Sequence, residues 1–129
     1  MDMTFVRLAI ALLLIGLVGC KSANDREYVE AMKRLATVDQ SALISESTAL
    51  LKTSNREQWE IPPASWPPTI KKLNPEAVRN YGGQSLCILL RKRMSHESGF
   101  FISVEGDTAP DGSSTIWKPI APRLLWYAL

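Results

Sequence analysis

Five of the eight prolines in this chain lie between Trp59 and Pro75, and no other feature limits the fold as strongly. Proline lacks a backbone donor and disfavours helix in the residue before it, so a continuous helix cannot run through this segment. The cluster therefore divides the chain into two regions with different patterns. We expect residues 54–80 to form an extended connector that Trp59 and Trp66 hold in place.

The region before the connector has a helical pattern. Residues 24–53 contain strong helix formers and neither proline nor glycine, with apolar side chains at helical spacing. This predicts an amphipathic helix, and the capping-box spacing of Asn24 and Glu27 predicts that it starts at Asn24. The helical phase slips at Asp39, where Asp39 or Ser41 can cap a second helix. One bent helix and two shorter helices both remain open.

The region after the connector, residues 84–129, alternates apolar and polar side chains with a period of two, which is typical of strands. The sequence therefore predicts an α+β fold in which an amphipathic helix packs on a small antiparallel sheet, in a single domain of residues 24–129. The predicted strands are 86–90, 100–104, 116–118 and 124–128, with a turn over residues 95–99 and another over 106–114.

Charge and residue counts limit the function. A formal net charge of +2 over 129 residues gives no electrostatic reason to expect binding to nucleic acid. Cys20 and Cys87 are the only two cysteines, which is too few for a disulfide framework. His96 is the only histidine, so a multi-histidine metal site cannot be built. We therefore expect a non-enzymatic protein without a metal or a cofactor.

Two residues invite a catalytic interpretation that their surroundings disfavour. His96 lies in the predicted turn between Ser95 and Glu97, where neighbouring side chains point apart, so we expect it to be solvated. Cys87 lies in an apolar run, where a thiol is usually a small buried side chain with a raised pKa. Neither residue is predicted to take part in nucleophilic catalysis.

Four residues are candidates for binding. Trp59 and Trp66 can stack on sugar rings if they are exposed, although filling the core and pinning the connector is the more common role for tryptophan. Arg91 and Arg93 are predicted to share a strand face with Cys87, where they can contact anionic headgroups or a partner protein.

The N-terminus carries an apolar run of 11 residues, from Leu8 to Val18, preceded by Arg7. A membrane-spanning helix needs about 20 apolar residues, so the run has the length of a signal-peptide core instead. The following segment, Leu17-Val18-Gly19-Cys20, resembles the lipobox of bacterial lipoproteins.

The lipobox resemblance implies a processing route and a location. In that family the signal peptide, here residues 1–19, is cleaved between Gly19 and Cys20. The thiol of Cys20 carries a diacylglyceryl group, and the new amino terminus is often acylated as well, which together anchor the protein stably. Residues 20–23 would then be a short tether. Lys21, in place of the aspartate that favours inner-membrane retention, favours the outer membrane, with the domain facing the periplasm.

A second resemblance covers Trp66 to Pro75, where the pattern Trp-Pro-Pro-x-Ile-x-x-Leu-x-Pro is similar to that of small bacterial proteins of unknown function. This resemblance implies no activity. We expect an envelope lipoprotein that serves as a protein-interaction or structural module, with a glycan- or small-ligand-binding module as the alternative.

Overall fold

The computed structural model describes residues 23–105 and 115–129, and it has the predicted α+β fold. The predictions for the signal peptide, for Cys20 and for the turn over 106–114 concern residues outside these ranges. The helices are α1 (Ala23–Leu35), α2 (Gln40–Thr53) and α3 (Pro68–Leu73), with a 3₁₀ turn at Pro63–Ser65. The strands are β1 (Ala77–Tyr81), β2 (Ser85–Arg93), β3 (His96–Ser103), β4 (Ile116–Ala121) and β5 (Leu124–Ala128).

The helical region forms two helices, which settles the alternative left open by the sequence. Asp39 is the N-cap of α2, and its carboxylate accepts a hydrogen bond of 3.2 Å from the backbone N–H of Ala42. This satisfies one of the donors that a helix start leaves unpaired. The predicted capping box is wrong, because α1 already includes Asn24 and the carboxylate of Glu27 binds His96.

The connector is shorter than predicted, because β1 begins at Ala77 and lies inside the range assigned to it. Trp66 pins the connector as expected: its indole N–H donates a hydrogen bond of 3.0 Å to the carbonyl oxygen of Ile61. The segment around Glu60 runs antiparallel to β1 and forms a bridge with Arg79. This segment covers the outer edge of β1, which would otherwise present unpaired backbone groups.

The five strands form one antiparallel sheet in the order β1-β2-β3-β5-β4. The last strand, β5, is therefore inserted between β3 and β4, which leaves β4 at the edge. Pro119 lies in β4. Proline cannot donate to a neighbouring strand, so an edge position is where a sheet tolerates it.

The hairpin between β2 and β3 turns earlier than predicted. The expected turn over 95–99 is wrong: the loop consists of Met94 and Ser95, and β3 already begins at His96. Met94 adopts a left-handed conformation with φ of 53°, so the turn forms without a glycine. Gly99 has a different role within β3, because a Cβ atom there would clash with the carbonyl oxygen of Ile88.

A β-bulge at Leu90 interrupts the hairpin. Leu89 pairs with Gly99 and Arg91 pairs with Ser98, so Leu90 is an extra residue in β2. The bulge shifts the alternation of side chains, and the residues that follow it point to the opposite face from the one that a regular strand predicts.

The sheet buries apolar side chains on both faces. The helix-covered face packs against all three helices, and its strand residues include Val78, Leu86, Ile88, Leu90, Phe100, Ile102, Leu124, Trp126 and Ala128. A second buried cluster lies on the other face, which we call the aromatic face, and consists of Ala77, Cys87, Leu89, Phe101, Leu125 and Tyr127 with Trp117 against them. In the part of the chain that the structure describes, no helix lies on the aromatic face.

Candidate functional site

A row of aromatic rings crosses the aromatic face from the connector to β5. Consecutive ring centroids are 4.8, 5.6, 5.3 and 5.9 Å apart. In order, the rings belong to Trp59, Tyr81, Phe101, Trp117 and Tyr127. Rings at these separations interact favourably beyond the area that they bury. The row takes the place of a helix as the covering of this side of the sheet.

The interior of the aromatic face contains a neutral thiol. Cys87 is buried, and its Sγ atom lies 2.9 Å from the hydroxyl oxygen of Tyr127. Tyr127 pairs with Gly99, which has no side chain, so its hydroxyl can reach across β3 to β2. Burial raises the pKa of the Cys87 thiol to about 11, and it also raises the pKa of Tyr127. The prediction of a buried cysteine with a raised pKa is confirmed.

An ion pair holds the Arg79 side chain in one position on this face. The Arg79 guanidinium donates hydrogen bonds of 3.1 and 2.9 Å to the two carboxylate oxygens of Glu97, and both side chains are less than 15% exposed. The same guanidinium lies 5.7 Å from the ring centroid of Trp59. Because charge-assisted hydrogen bonds are the strong ones, Glu97 fixes Arg79, and Arg79 supports one side of the Trp59 ring.

Trp59 and Tyr81 form the accessible part of the row. Trp59 is 51% exposed and Tyr81 is 40% exposed, whereas Phe101 and Tyr127 are buried. The first two rings meet edge to face, with an angle of 73° between their planes. We call Trp59, Tyr81 and Arg79 the aromatic patch.

A second polar cluster lies at the turn end of the β2–β3 hairpin. The two ring nitrogens of His96 lie 2.5 Å from the carboxylate of Glu27 and 2.6 Å from the backbone oxygen of Leu129. Both partners are acceptors, so both contacts require the doubly protonated imidazolium. The hydrogen bond with Glu27 is the main cause that raises the pKa of His96. The prediction that His96 is a solvated turn residue is wrong.

The structure separates the four predicted binding residues. Trp59 belongs to the aromatic patch, whereas Trp66 is partly buried against the core on the helix-covered face. Arg91 lies 3.6 Å from Glu27 of α1, so the prediction that it shares a face with Cys87 is wrong. The bulge at Leu90 explains the error, because it turns the end of β2 toward the helices. Arg93 is exposed beside the turn.

Trp66 lines a separate groove at the edge of the sheet. This open groove has a volume of about 450 Å³ and also contains Glu60 and Glu76. The indole N–H of Trp66 is already bonded within the connector. The groove therefore presents two carboxylates and part of one ring, but none of the residues of the aromatic patch.

Within the described residues, the candidate catalytic residues lie far apart, and no cluster of metal-binding side chains forms. Cys87 pairs with Phe101 and His96 pairs with Arg93, so about 17–20 Å of strand lies between the thiol and the imidazole. Among residues 23–105 and 115–129 there is no group of three or more His, Cys, Asp or Glu that could hold a metal ion. Within the same ranges, no helix is long and apolar enough to cross a bilayer.

Aromatic groups at a surface can bind a partner through stacking and apolar contact, and Trp59 and Tyr81 offer both. The side chain of Arg79 is 13% exposed and bound to Glu97, so its part is to hold the Trp59 ring. The predicted lipidation residue, Cys20, and the predicted cleavage site between Gly19 and Cys20 lie outside the described residues. Comparison with protein-family models, with curated proteins and with solved structures found no match for this chain.

Proposed function

We propose that this chain is a non-enzymatic lipoprotein of the bacterial cell envelope, anchored through Cys20, that binds another envelope protein through the aromatic patch. The observation that carries the binding role is the exposure of Trp59 and Tyr81 beside Arg79, on a face that none of the described helices covers. Tryptophan, tyrosine and arginine are the residue types enriched among those that contribute most to protein–protein binding.

The patch is also arranged for binding at a low entropic cost. Glu97 holds Arg79 through two hydrogen bonds, and Phe101 supports Tyr81 from below. Side chains that are already held in one conformation lose less freedom when a partner binds. A protein partner would therefore meet a preorganised surface.

The anchor rests on the sequence pattern. The lipobox segment Leu17-Val18-Gly19-Cys20 follows an apolar run of signal-peptide length, and α1 begins at Ala23, three residues after Cys20. Three extended residues span at most about 11 Å, so lipid on Cys20 would hold the domain close to the membrane surface.

Intact-mass analysis of the membrane fraction tests the anchor. The wild-type chain should lack residues 1–19 and carry acyl chains, and a Cys20→Ala variant should carry none. A Cys87→Ala variant is the matched control and should be lipidated like the wild type. An unmodified full-length mass for the wild type would refute the anchor.

A glycan-binding role is the second candidate, and the 51% exposure of Trp59 favours it. Sugar rings stack on aromatic faces, and a single exposed indole can provide one such face. The edge-to-face contact between Trp59 and Tyr81 does not form a continuous flat platform, which is why we place a protein partner first.

Photo-crosslinking in cells distinguishes the two candidates. A photoreactive amino acid replaces Trp59 in one variant and Lys71, an exposed residue of α3 on the other side of the sheet, in the control. We expect a discrete adduct only at position 59, sensitive to protease and resistant to muramidase. An adduct destroyed by muramidase would support the glycan. Equal crosslinking at both positions would refute the patch as a binding site.

A further inference from the structure

Three exposed apolar side chains cluster at one end of the sheet. Met94, in the β2–β3 turn, is 97% exposed, and Leu129 and Ile116 are 48% and 41% exposed. The strand pairing places Ile116 and Leu129 at the end of the sheet that holds the turn, because Ile116 pairs with Ala128, next to Leu129, and the backbone N–H of Leu129 donates a hydrogen bond of 2.8 Å to the carbonyl oxygen of Glu97. The Met94 side chain is free of the core, and its flexible thioether can adapt to an apolar surface.

Basic side chains surround the protruding methionine. Lys92 and Arg93 immediately precede it, Lys92 is 50% exposed and Arg93 is exposed as well. Within Arg91–Glu97 the only acidic residue is Glu97. Its carboxylate binds Arg79 and also lies 3.8 Å from the ammonium nitrogen of Lys92. We call Lys92, Arg93 and Met94, together with Ile116 and Leu129, the tip surface.

The start of α1 lies at the same end of the molecule. Asp25 lies 3.5 Å from Lys118 of β4, and Glu27 binds His96, two residues after Met94. Ala23 is one helical turn, about 6 Å along the axis, before Glu27. Since Cys20 is at most about 11 Å from Ala23, a lipid on Cys20 can reach a bilayer that touches the tip surface.

We infer that the tip surface rests on the membrane, with Lys92 and Arg93 among anionic lipid headgroups and the Met94 side chain inserted at the interface. This inference deepens the proposed function and rests on its lipid anchor. A basic segment next to an apolar side chain is the combination that binds anionic interfaces, and a second, weak contact beside a lipid fixes the orientation of the whole domain.

The orientation follows from the strand geometry. β2 runs from the tip surface to Ser85, and the β1–β2 turn with Gln84 lies at its other end. At about 3.3 Å per residue, this turn is roughly 25–30 Å farther from the membrane. The contacts of Glu27 with His96 and Arg91 join α1 to the hairpin, so the start of α1 keeps a fixed position relative to the tip surface.

A fluorescent probe tests the contact. The full chain is purified from membranes as a Met94→Cys or a Gln84→Cys variant, labelled with an NBD fluorophore and placed in vesicles of phosphatidylglycerol and phosphatidylcholine. Both variants share Cys20 and the buried Cys87, so their difference reports on the introduced cysteine. We expect a blue shift and about a twofold gain in emission for Met94→Cys, and no change for Gln84→Cys.

Each outcome of the test is decisive. No response from Met94→Cys, or the same response from both variants, would overturn the inference. Intact mass of the same preparation reports lipidation separately, so a lipidated chain with a silent Met94 probe overturns the membrane contact alone. A probe response from an unlipidated chain would overturn only the anchor.

The basic residues provide a second measurement. Adding Lys92→Ala or Arg93→Ala to the labelled variant should reduce the probe response, because each basic side chain near an anionic surface is worth about a fivefold change in partitioning. Lys71→Ala, an exposed change on α3, is the control and should have no effect. A response that persists in phosphatidylcholine alone and ignores both substitutions would overturn the role of the headgroups.

Discussion

The two faces of the sheet are buried by different means. On the helix-covered face, three helices cover residues such as Phe100 and Trp126, which are completely inaccessible. On the aromatic face, the strands and the connector provide the covering themselves, through rings that lie across their neighbours. Both arrangements exclude water from the centre of the face. Only the second leaves large aromatic side chains half in solvent.

This difference indicates a division of roles. The helix-covered face is closed, so its contribution is to stability. The aromatic face ends in a surface layer of Trp59 and Tyr81, whose exposed area is available to a partner. A sheet face can therefore be buried and still present a binding surface, provided that its outer layer is built from large rings.

The sharpest test of the comparison uses two adjacent phenylalanines that point to opposite faces. Phe100→Ala removes a ring packed beneath the helices and should cost about 4 kcal/mol of unfolding free energy. Phe101→Ala should cost less, about 2–3 kcal/mol, because the half-exposed Tyr81 and Trp117 can relax into the space. Chemical denaturation of the two variants measures both values. Equal losses would mean that the two faces are equally rigid.

A smaller effect is expected from the ion pair on the aromatic face. Glu97→Gln leaves the mostly buried Arg79 with a weaker partner and should lower the unfolding free energy by about 1–3 kcal/mol. Stronger quenching of the Trp59 fluorescence by iodide should accompany this loss, because Arg79 no longer supports that ring. Glu60→Gln, an exposed acid on the same edge, serves as the control. A double-mutant cycle with Arg79→Ala that shows no coupling would contradict the role given to the pair.

Parts of this architecture follow from the sequence and parts do not. The α+β order, the final strand and the burial of Cys87 follow from local periodicity and composition. The sequence predicts the hairpin turn too late in the chain, because Met94 adopts a left-handed backbone conformation that is uncommon for methionine. The pairing of Glu27 with His96 joins residues that are far apart in the chain, and no local pattern indicates it.

The aromatic patch likewise depends on contacts between distant parts of the chain, which local sequence patterns do not predict. The sequence identifies Trp59 as a candidate binding residue but not Tyr81 or Arg79, because it assigns most of β1 to the connector. Once β1 is placed beside β2, the alternation of Arg79 and Tyr81 with buried Val78 and Asn80 identifies their face. The register between strands, rather than any motif, was the missing information.

A weaker, pH-dependent effect is expected where α1 meets the hairpin. The pKa of His96 is raised in the folded state, so its stabilising contribution is complete below its ordinary pKa near 6.5 and is lost as the pH rises through the higher folded value. The groups that face it are Glu27, Arg91 and the backbone oxygen of Leu129. Unfolding free energy measured against pH should fall over this window, and less so in His96→Gln. A profile that rises would contradict the assignment.

The smallest effect on stability is expected at the patch itself. Trp59→Ala removes a ring that is 51% exposed and should change the unfolding free energy by no more than about 1 kcal/mol. Trp117→Ala, which removes a half-buried ring from the same row, is the comparison and should be more destabilising. A large loss from Trp59→Ala would indicate that this ring belongs to the core rather than to a binding surface.

The extra residue at Leu90 determines the parity of everything that follows it in β2. Leu90 has no partner on β3, so a chain without it would pair Leu89 with Gly99 and Arg91 with Ser98 in a regular ladder, and Arg91 would stay on the side of Glu27. An added residue at the same point would instead turn Arg91 toward the aromatic face. Within this hairpin, the loss of one residue should therefore be better tolerated than the gain of one.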